Sequence, residues 1–329
     1  MPQPLHREEI LRERYKIQRI IGQGGMGSVY LAEDMRLEGR LCALKEIIHD
    51  VSLTDDKLNQ TRDQFMREAT VLARLDHPNL PKVSDYFSIE ERDFLVMDFV
   101  PGKDLSMLMT EARLKNNFLE EREVLRWADQ IADALSYLHS QDPPIVHRDV
   151  KPSNLKLTPT GVIKLVDFGL VKILASEEIT ITVLQGRGTA LYTPLEQYGG
   201  DVGHTDVRTD IYSFGATLYH LLTNHSPPEA RDRFLQPNCF VPIRELNPNI
   251  SPRTDRAVTW AMSLHPDERP QLVEEFRQAL LGDWNPITRP RSSMPRPTLV
   301  DLLSSPVERT LVWISLGLII LSLIVTLSR

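Results

Sequence analysis

At 329 residues the chain is long enough for a sizeable core split between lobes, with length left for an appendage. Its 41% hydrophobic and 25% charged residues are those of an ordinary globular protein, and a net charge of −7 with scattered basic residues argues against nucleic acid as a partner. Cys42 and Cys239 form no CxxC pattern, which speaks against a disulfide framework or zinc site and for a reducing compartment.

Residues 1–14 are charged without an apolar stretch, unlike a signal peptide, and read as an N-terminal extension. A strand predicted at 17–21 runs into Gly22-Gln23-Gly24-Gly25-Met26-Gly27, and a second at 28–33 leaves it, making a hairpin. A third strand is predicted at 41–48. Phe65, Ala69, Leu72 and Leu75 share one side of a predicted helix over 63–75. An apolar strand at 94–100 stops at the hinge signal Pro101-Gly102. Beyond Leu105 helices predominate, at 124–140, 210–223, 255–263 and 271–281, with short strands between the first two.

Residues 283–309, with Pro286, Pro290, Pro295, Pro297 and Pro306, read as an extended linker. Its arginines suit anionic lipid headgroups and plain solvation equally well. Residues 310–328 are 19 positions without a charge. At ~1.5 Å per residue they span ~28 Å against a hydrocarbon core of ~30 Å, which predicts one transmembrane helix. Arg289, Arg291, Arg296 and Arg309 precede this span and only Arg329 follows it, so the N-terminal part is expected in the cytoplasm.

Several polar residues stand where phosphate chemistry needs them. Gly22, Gly24 and Gly27 let backbone N–H groups approach anionic oxygens closely. A lone GxGxxG also opens dinucleotide-binding folds, but a lysine one strand later, Lys45, is not explained by a tight turn. On an inner strand that lysine needs a carboxylate. Glu68, on the predicted helix, is the better candidate; Glu46 points to the opposite face of the strand. Further on come His147-Arg148-Asp149, Asn154 and Asp167-Phe168-Gly169.

In this order and spacing the motifs resemble the protein kinase superfamily, and most closely the bacterial membrane-anchored Ser/Thr kinases, over roughly residues 15–281. The resemblance implies an α+β, bilobal protein-kinase fold: a strand-rich N-lobe at 15–98, a hinge at 99–103 and a helical C-lobe at 104–282. It also implies ATP as the phosphoryl donor with Mg²⁺, or Mn²⁺ in its place. Ile21, Gly22, Gly24, Gly25 and Gly27 would help bind the nucleotide, Val29 would cover the adenine or ribose, Ala43 would form part of the purine ceiling, and Lys45 would hold the α- and β-phosphates with Glu68 as its partner. Met97 would back the pocket, Asp98 and Val100 would offer backbone groups to adenine, and Asp104 would accept from the ribose.

The same resemblance makes Asp149 the catalytic base and Lys151 a neutraliser of charge on the transferring group. Asn154 and Asp167 become the metal ligands, while His147 and Phe168 are packing residues. Lys151 together with Thr189 fits the serine/threonine branch. Arg148 would bind a phosphate on the 167–196 loop, which carries Ser176, Thr180, Thr182 and Thr189. Autophosphorylation is expected at Thr180 or Thr182, and Thr189 is expected to pack beside Asp149.

Two departures stand out. The family's Ala-Pro-Glu is here Pro194-Leu195-Glu196, with Arg269 as the expected buried partner of Glu196. Lys156 stands where kinases place an apolar residue beneath adenine. Expected partners are proteins with Ser/Thr acceptors and membrane lipid, with a homodimer admitted and nucleic acid excluded. Two other readings are weighed: a pseudokinase scaffold, disfavoured by the full set Lys45, Asp149, Asn154 and Asp167, and a small-molecule kinase, disfavoured by the segment from Gly188 to Glu196.

Overall fold

The computed structural model describes residues 3–24, 27–48, 55–90, 92–167, 187–198 and 205–282. Gly25, Phe168, Ser176, Thr180, Thr182, the linker 283–309 and the apolar segment 310–328 lie outside the described residues. Among the described residues no helix is long and apolar enough to cross a membrane.

The first lobe is built on an antiparallel sheet. Strand β1 (Ile10–Leu11) is followed by β2 (Tyr15–Gly24), β3 (Gly27–Asp34), β4 (Leu41–Ile48), β5 (Val83–Ile89) and β6 (Arg92–Asp98), in the order β1-β2-β3-β4-β6-β5. Successive side chains on a strand point to opposite faces, and β4 shows this residue by residue. Cys42 and Leu44 join an outer core with Tyr15, Ile17, Tyr30, Phe87, Phe94 and Val96. Ala43 and Ile47 join an inner core with Leu95, Met97 and the buried side of helix α1 (Asp55–Arg74), namely Phe65, Ala69 and Leu72. Lys45 therefore faces inward and Glu46 outward.

Residues before Tyr15 belong to this lobe as well. Ile10 and Leu11 pair with Lys16 and Tyr15, and Leu5 packs on the outer core.

A small second sheet marks the hinge: β7 (Lys103–Asp104), β8 (Leu155–Leu157) and β9 (Ile163–Leu165), in that order. Gly102, at φ +108°, is needed here, because a Cβ would lie 2.1 Å from the Leu157 carbonyl oxygen.

The second lobe is helical: α2 (Leu105–Leu114), α3 (Glu121–His139), α4 (Arg187–Ala190), α5 (Val207–Thr223), α6 (Ala230–Leu235), α7 (Ile243–Leu246), α8 (Pro252–Ala261) and α9 (Val273–Leu281). Helix α5 is apolar enough to run through the centre of the lobe, buried at every position from Thr209 to Tyr219. Asp206 caps its start by accepting from the Arg208 N–H, which satisfies one of the orphan donors of the first turn. Gly215 lets α5 lie close to α8; a Cβ there would come within 2.9 Å of the Ala261 Cβ.

Candidate active site

Four polar residues interrupt the apolar run of α5, and each holds a loop. Asp210, fully buried, accepts the backbone N–H of His147 at Oδ2 (2.8 Å) and that of Arg148 at Oδ1 (2.7 Å). His139 Nε2 lies 2.8 Å from the same Oδ2. Burial pushes the Asp210 pKa up, but His139 and the backbone donors more than offset this and hold it below its ordinary value. Ser213 donates to the Tyr192 carbonyl, Thr217 to the Val150 carbonyl and Thr209 to Glu196.

The loop so held turns through a left-handed Arg148, φ 66°, a conformation that costs a non-glycine residue roughly 1–2 kcal/mol. His147 beside it is buried, and burial lowers its pKa, so it is neutral at physiological pH and packs as expected.

Asp149 sits in a cluster of donors. Its Oδ2 accepts from Lys151 Nζ (2.9 Å) and from Asn154 Nδ2 (3.0 Å), and Asn154 Nδ2 also reaches the Asp149 carbonyl (2.9 Å). Lys151 Nζ donates in addition to the Thr189 hydroxyl (2.9 Å), so Thr189 packs against the Asp149 loop. A carboxylate, a lysine and a threonine thus share one hydrogen-bonded set.

Asp167 arrives from the other side. The Val166 N–H donates to the Asn154 carbonyl (2.8 Å), which brings the residue before Asp167 against Asn154. Asp167 has φ 67° and its Oδ1 lies 2.5 Å from Lys45 Nζ. Desolvation raises its pKa, while the charge and hydrogen bond of Lys45 lower it further, leaving the group ionised. Asn154 and Asp167 thus offer the hard oxygen donors that suit Mg²⁺.

Lys45 is ion-paired with Asp167, because it points from the inner face of β4 straight at the carboxylate that follows β9. Glu68 adds its negative charge beside Arg148, which Asp210 supports as well.

The nucleotide side of the cleft is framed by the inner face of the sheet. Ala43 pairs with Met97 across β4 and β6, and Ile21 and Val29 pack on the same inner core. Gly22 would tolerate a Cβ at 3.6 Å from Val29, and a Cβ on Gly24 would meet nothing within 4 Å among the described residues. Gly27 is a glycine for another reason: at φ +140° its Cβ would fall 2.1 Å from the Glu46 carbonyl oxygen. The open space belongs to Gly24.

At the hinge, the Asp98 N–H donates to the Lys82 carbonyl (3.0 Å). Val100 is buried. Asp104 caps α2: its Oδ1 accepts from the Met107 N–H (2.9 Å) and from the Ser106 hydroxyl. Lys156 stands directly opposite Asp104 in the β7–β8 ladder, a cation beside that carboxylate.

The segment after Thr189 is fastened deep in the lobe. Arg269, fully buried, donates to Glu196 Oε1 from Nη1 (2.6 Å) and to Oε2 from Nη2 (3.0 Å), and also to the carbonyls of Ser263, Leu264 and Arg208. The Tyr192 hydroxyl lies 2.6 Å from His220 Nδ1. Sequence reasoning missed His139, Asp210, Ser213 and Thr217. The signal was polar residues at 210, 213 and 217, one stripe of an otherwise apolar helix.

The comparisons agree with this geometry. The family described as protein kinase domain matches residues 15–281, and the chain belongs to that family. It is 35% identical over 278 residues to a probable serine/threonine-protein kinase of Clostridium acetobutylicum, covering 82% of this chain and 40% of that protein. It is 33% identical over 271 residues to the serine/threonine-protein kinase PrkC of Bacillus subtilis, covering 80% and 39%. The chain therefore spans about two fifths of the length of these curated relatives. Among solved structures, the apo form of PpkA-294 superposes with a TM-score of 0.68 at 29% identity, covering 84% of this chain and 99% of that one. The kinase domain of Mycobacterium tuberculosis PknI gives 0.64 at 27% identity, covering 84% and 98%.

Proposed function

We propose that the chain transfers the γ-phosphoryl group of ATP to serine or threonine hydroxyls of proteins. The observation that carries this reading is the Asp149–Lys151–Thr189 set, joined through Asn154 to the Lys45–Asp167 pair. An acceptor hydroxyl beside Asp149 is oriented by the carboxylate, which takes its proton as the oxygen attacks the γ-phosphorus. The bond from that phosphorus to the bridging oxygen breaks, and ADP leaves. Lys151, already at Asp149, faces the charge that develops on the transferring group. Lys45 holds phosphate oxygens, and the backbone beside Gly24 leaves them room. Asn154 and Asp167 would hold Mg²⁺, which neutralises phosphate charge and fixes the phosphates' orientation.

The family and its bacterial Ser/Thr kinase relatives support this reading. Autophosphorylation at Thr180 or Thr182, with Arg148 receiving the phosphate, belongs to the same proposal, as does signalling at the cytoplasmic face of a membrane. Residues 310–328 would supply the anchor and residues 283–309 the linker. A homodimer is compatible with this arrangement.

The test is transfer of labelled γ-phosphate to the protein itself and to a generic protein substrate, comparing wild type with Asp149→Asn. Loss of a general base typically costs ~10²–10⁴-fold. Label on Ser/Thr that disappears in the variant supports the reading. A folded wild type that binds Mg-ATP and transfers nothing would make the chain a nucleotide-binding scaffold.

A further inference from the structure

Glu46 is a buried carboxylate that phosphoryl transfer does not use. It stands one residue from Lys45, on the other face of β4, with 2% of its side chain exposed. Its Oε2 accepts from the Tyr30 hydroxyl (2.8 Å), and its Oε1 is ion-paired with Arg92 Nη1 (3.1 Å). Tyr30 lies on β3 and Arg92 on β6, so one carboxylate ties together three neighbouring strands. A buried charge is stable only while such partners stay in place.

The N-terminal segment completes this cluster from outside. The Leu5 N–H donates to the Tyr30 hydroxyl (3.1 Å), and Arg92 Nη2 donates to the Gln3 carbonyl (2.9 Å). Further along, the Glu8 N–H reaches the Ile17 carbonyl and the Ile17 N–H the Glu9 carbonyl, both at 2.8 Å. Residues 3–9 are thus strapped over the outer face of the sheet, largely by backbone hydrogen bonds. The inner face at the same point carries the nucleotide machinery. Lys45 is the next residue on β4, and the Glu46 carbonyl is the atom against which Gly27, at the end of the glycine loop, is packed.

We propose that Glu46 is a positioning residue for nucleotide binding, and that the strap docked on it through Tyr30 and Arg92 raises the affinity of the Lys45 site for ATP. Because adjacent strand residues face opposite ways, fixing Glu46 on the outside fixes the direction in which Lys45 leaves the inside. The same tie holds the strand against which the glycine loop closes. The inference rests on the reading that Lys45 holds ATP.

The test uses the full chain. Leu5→Pro removes the one N–H that the strap gives to Tyr30, while Leu5→Ala keeps it and trims only the apolar contact. Glu46→Gln keeps an acceptor for Tyr30 and removes the charge that faces Arg92. Binding of a fluorescent ATP analogue with Mg²⁺ is measured for each, together with amide hydrogen exchange of residues 43–47 without nucleotide. We expect Leu5→Pro and Glu46→Gln to weaken binding roughly 3- to 30-fold and to speed exchange, with Leu5→Ala nearer wild type. Unchanged affinity in Leu5→Pro overturns the proposal; if exchange is faster at unchanged affinity, the strap is structural only. A folded wild type that binds no nucleotide removes the ATP reading and the inference with it, whereas a wild type that binds and a Leu5→Pro variant that binds equally well removes the inference alone.

Discussion

His139 Nε2 lies 2.8 Å from Asp210 Oδ2, and through that carboxylate a residue at the end of α3 reaches the backbone of the catalytic loop. Asp210 carries the negative charge in this set of contacts, and it is fully buried. Asp210→Ala strands two backbone N–H groups and the imidazole. We expect it to cost roughly 3–5 kcal/mol of stability, read as a lower thermal midpoint. Asp210→Asn keeps the shape but turns one acceptor into a donor, so one loop N–H loses its partner. A variant that stays folded should lose activity by about 10²-fold through misplacement of Asp149, at little change in Mg-ATP affinity.

The Glu196–Arg269 pair invites a double-mutant comparison. Arg269→Met alone leaves the Glu196 carboxylate without its bidentate donor and should destabilise by about 3–5 kcal/mol. Glu196→Leu combined with Arg269→Met removes both charges, and its loss should be smaller than that of the single variant. Denaturant unfolding measures both; a double variant at least as unstable as Arg269→Met would contradict this account.

The glycine loop separates a backbone requirement from a ligand requirement. Gly27→Ala meets the Glu46 carbonyl at φ +140° and should lower the thermal midpoint clearly. Gly24→Ala meets nothing within 4 Å among the described residues, so its stability should stay within about 0.5 kcal/mol of wild type. If the loop cradles ATP as proposed, its effect should fall on ATP binding, because the added methyl would fill space that a phosphate needs. Thermal melting and nucleotide titration of the two variants together decide the point.

Much of the fold and site is legible in the sequence, for identifiable reasons. Residues 41–48 form β4 as the sequence predicts, because apolar residues on both faces make a continuous run, and the alternation sets Lys45 against Glu46. Helix α1 begins at Asp55, earlier than the predicted 63, because its first two turns carry no apolar stripe to announce it. The expected Arg269–Glu196 pair is present, since a buried arginine needs a carboxylate wherever the helices bring one. That Lys45 meets Asp167 depends on how the tertiary fold brings β4 and the residue after β9 together, which no local pattern encodes. The polar composition around Ile10–Leu11 hides both that strand and the strap, because they dock through backbone atoms that every residue shares.

The His220–Tyr192 contact predicts an acid-sensitive window. Burial first, then the nearby Arg113 and His225, lowers the His220 pKa from near 6.5 to about 4. A neutral imidazole can accept the Tyr192 hydroxyl at Nδ1, and a protonated one cannot. Below pH 6.5 the unfolded chain takes up a proton that the folded chain refuses until about pH 4. Stability is therefore lost as pH falls through this interval, by at most about 1.4 kcal/mol per unit. His147, whose pKa burial also lowers, acts in the same direction. Asp210 and Asp167, held below their ordinary values, work only further down, where falling pH begins to protonate carboxylates. His220→Gln keeps an acceptor for Tyr192 and removes the titration, so its thermal midpoint should fall less than wild type's between pH 6.5 and 4. Parallel curves for the two proteins across that interval would show that His220 is not the group responsible.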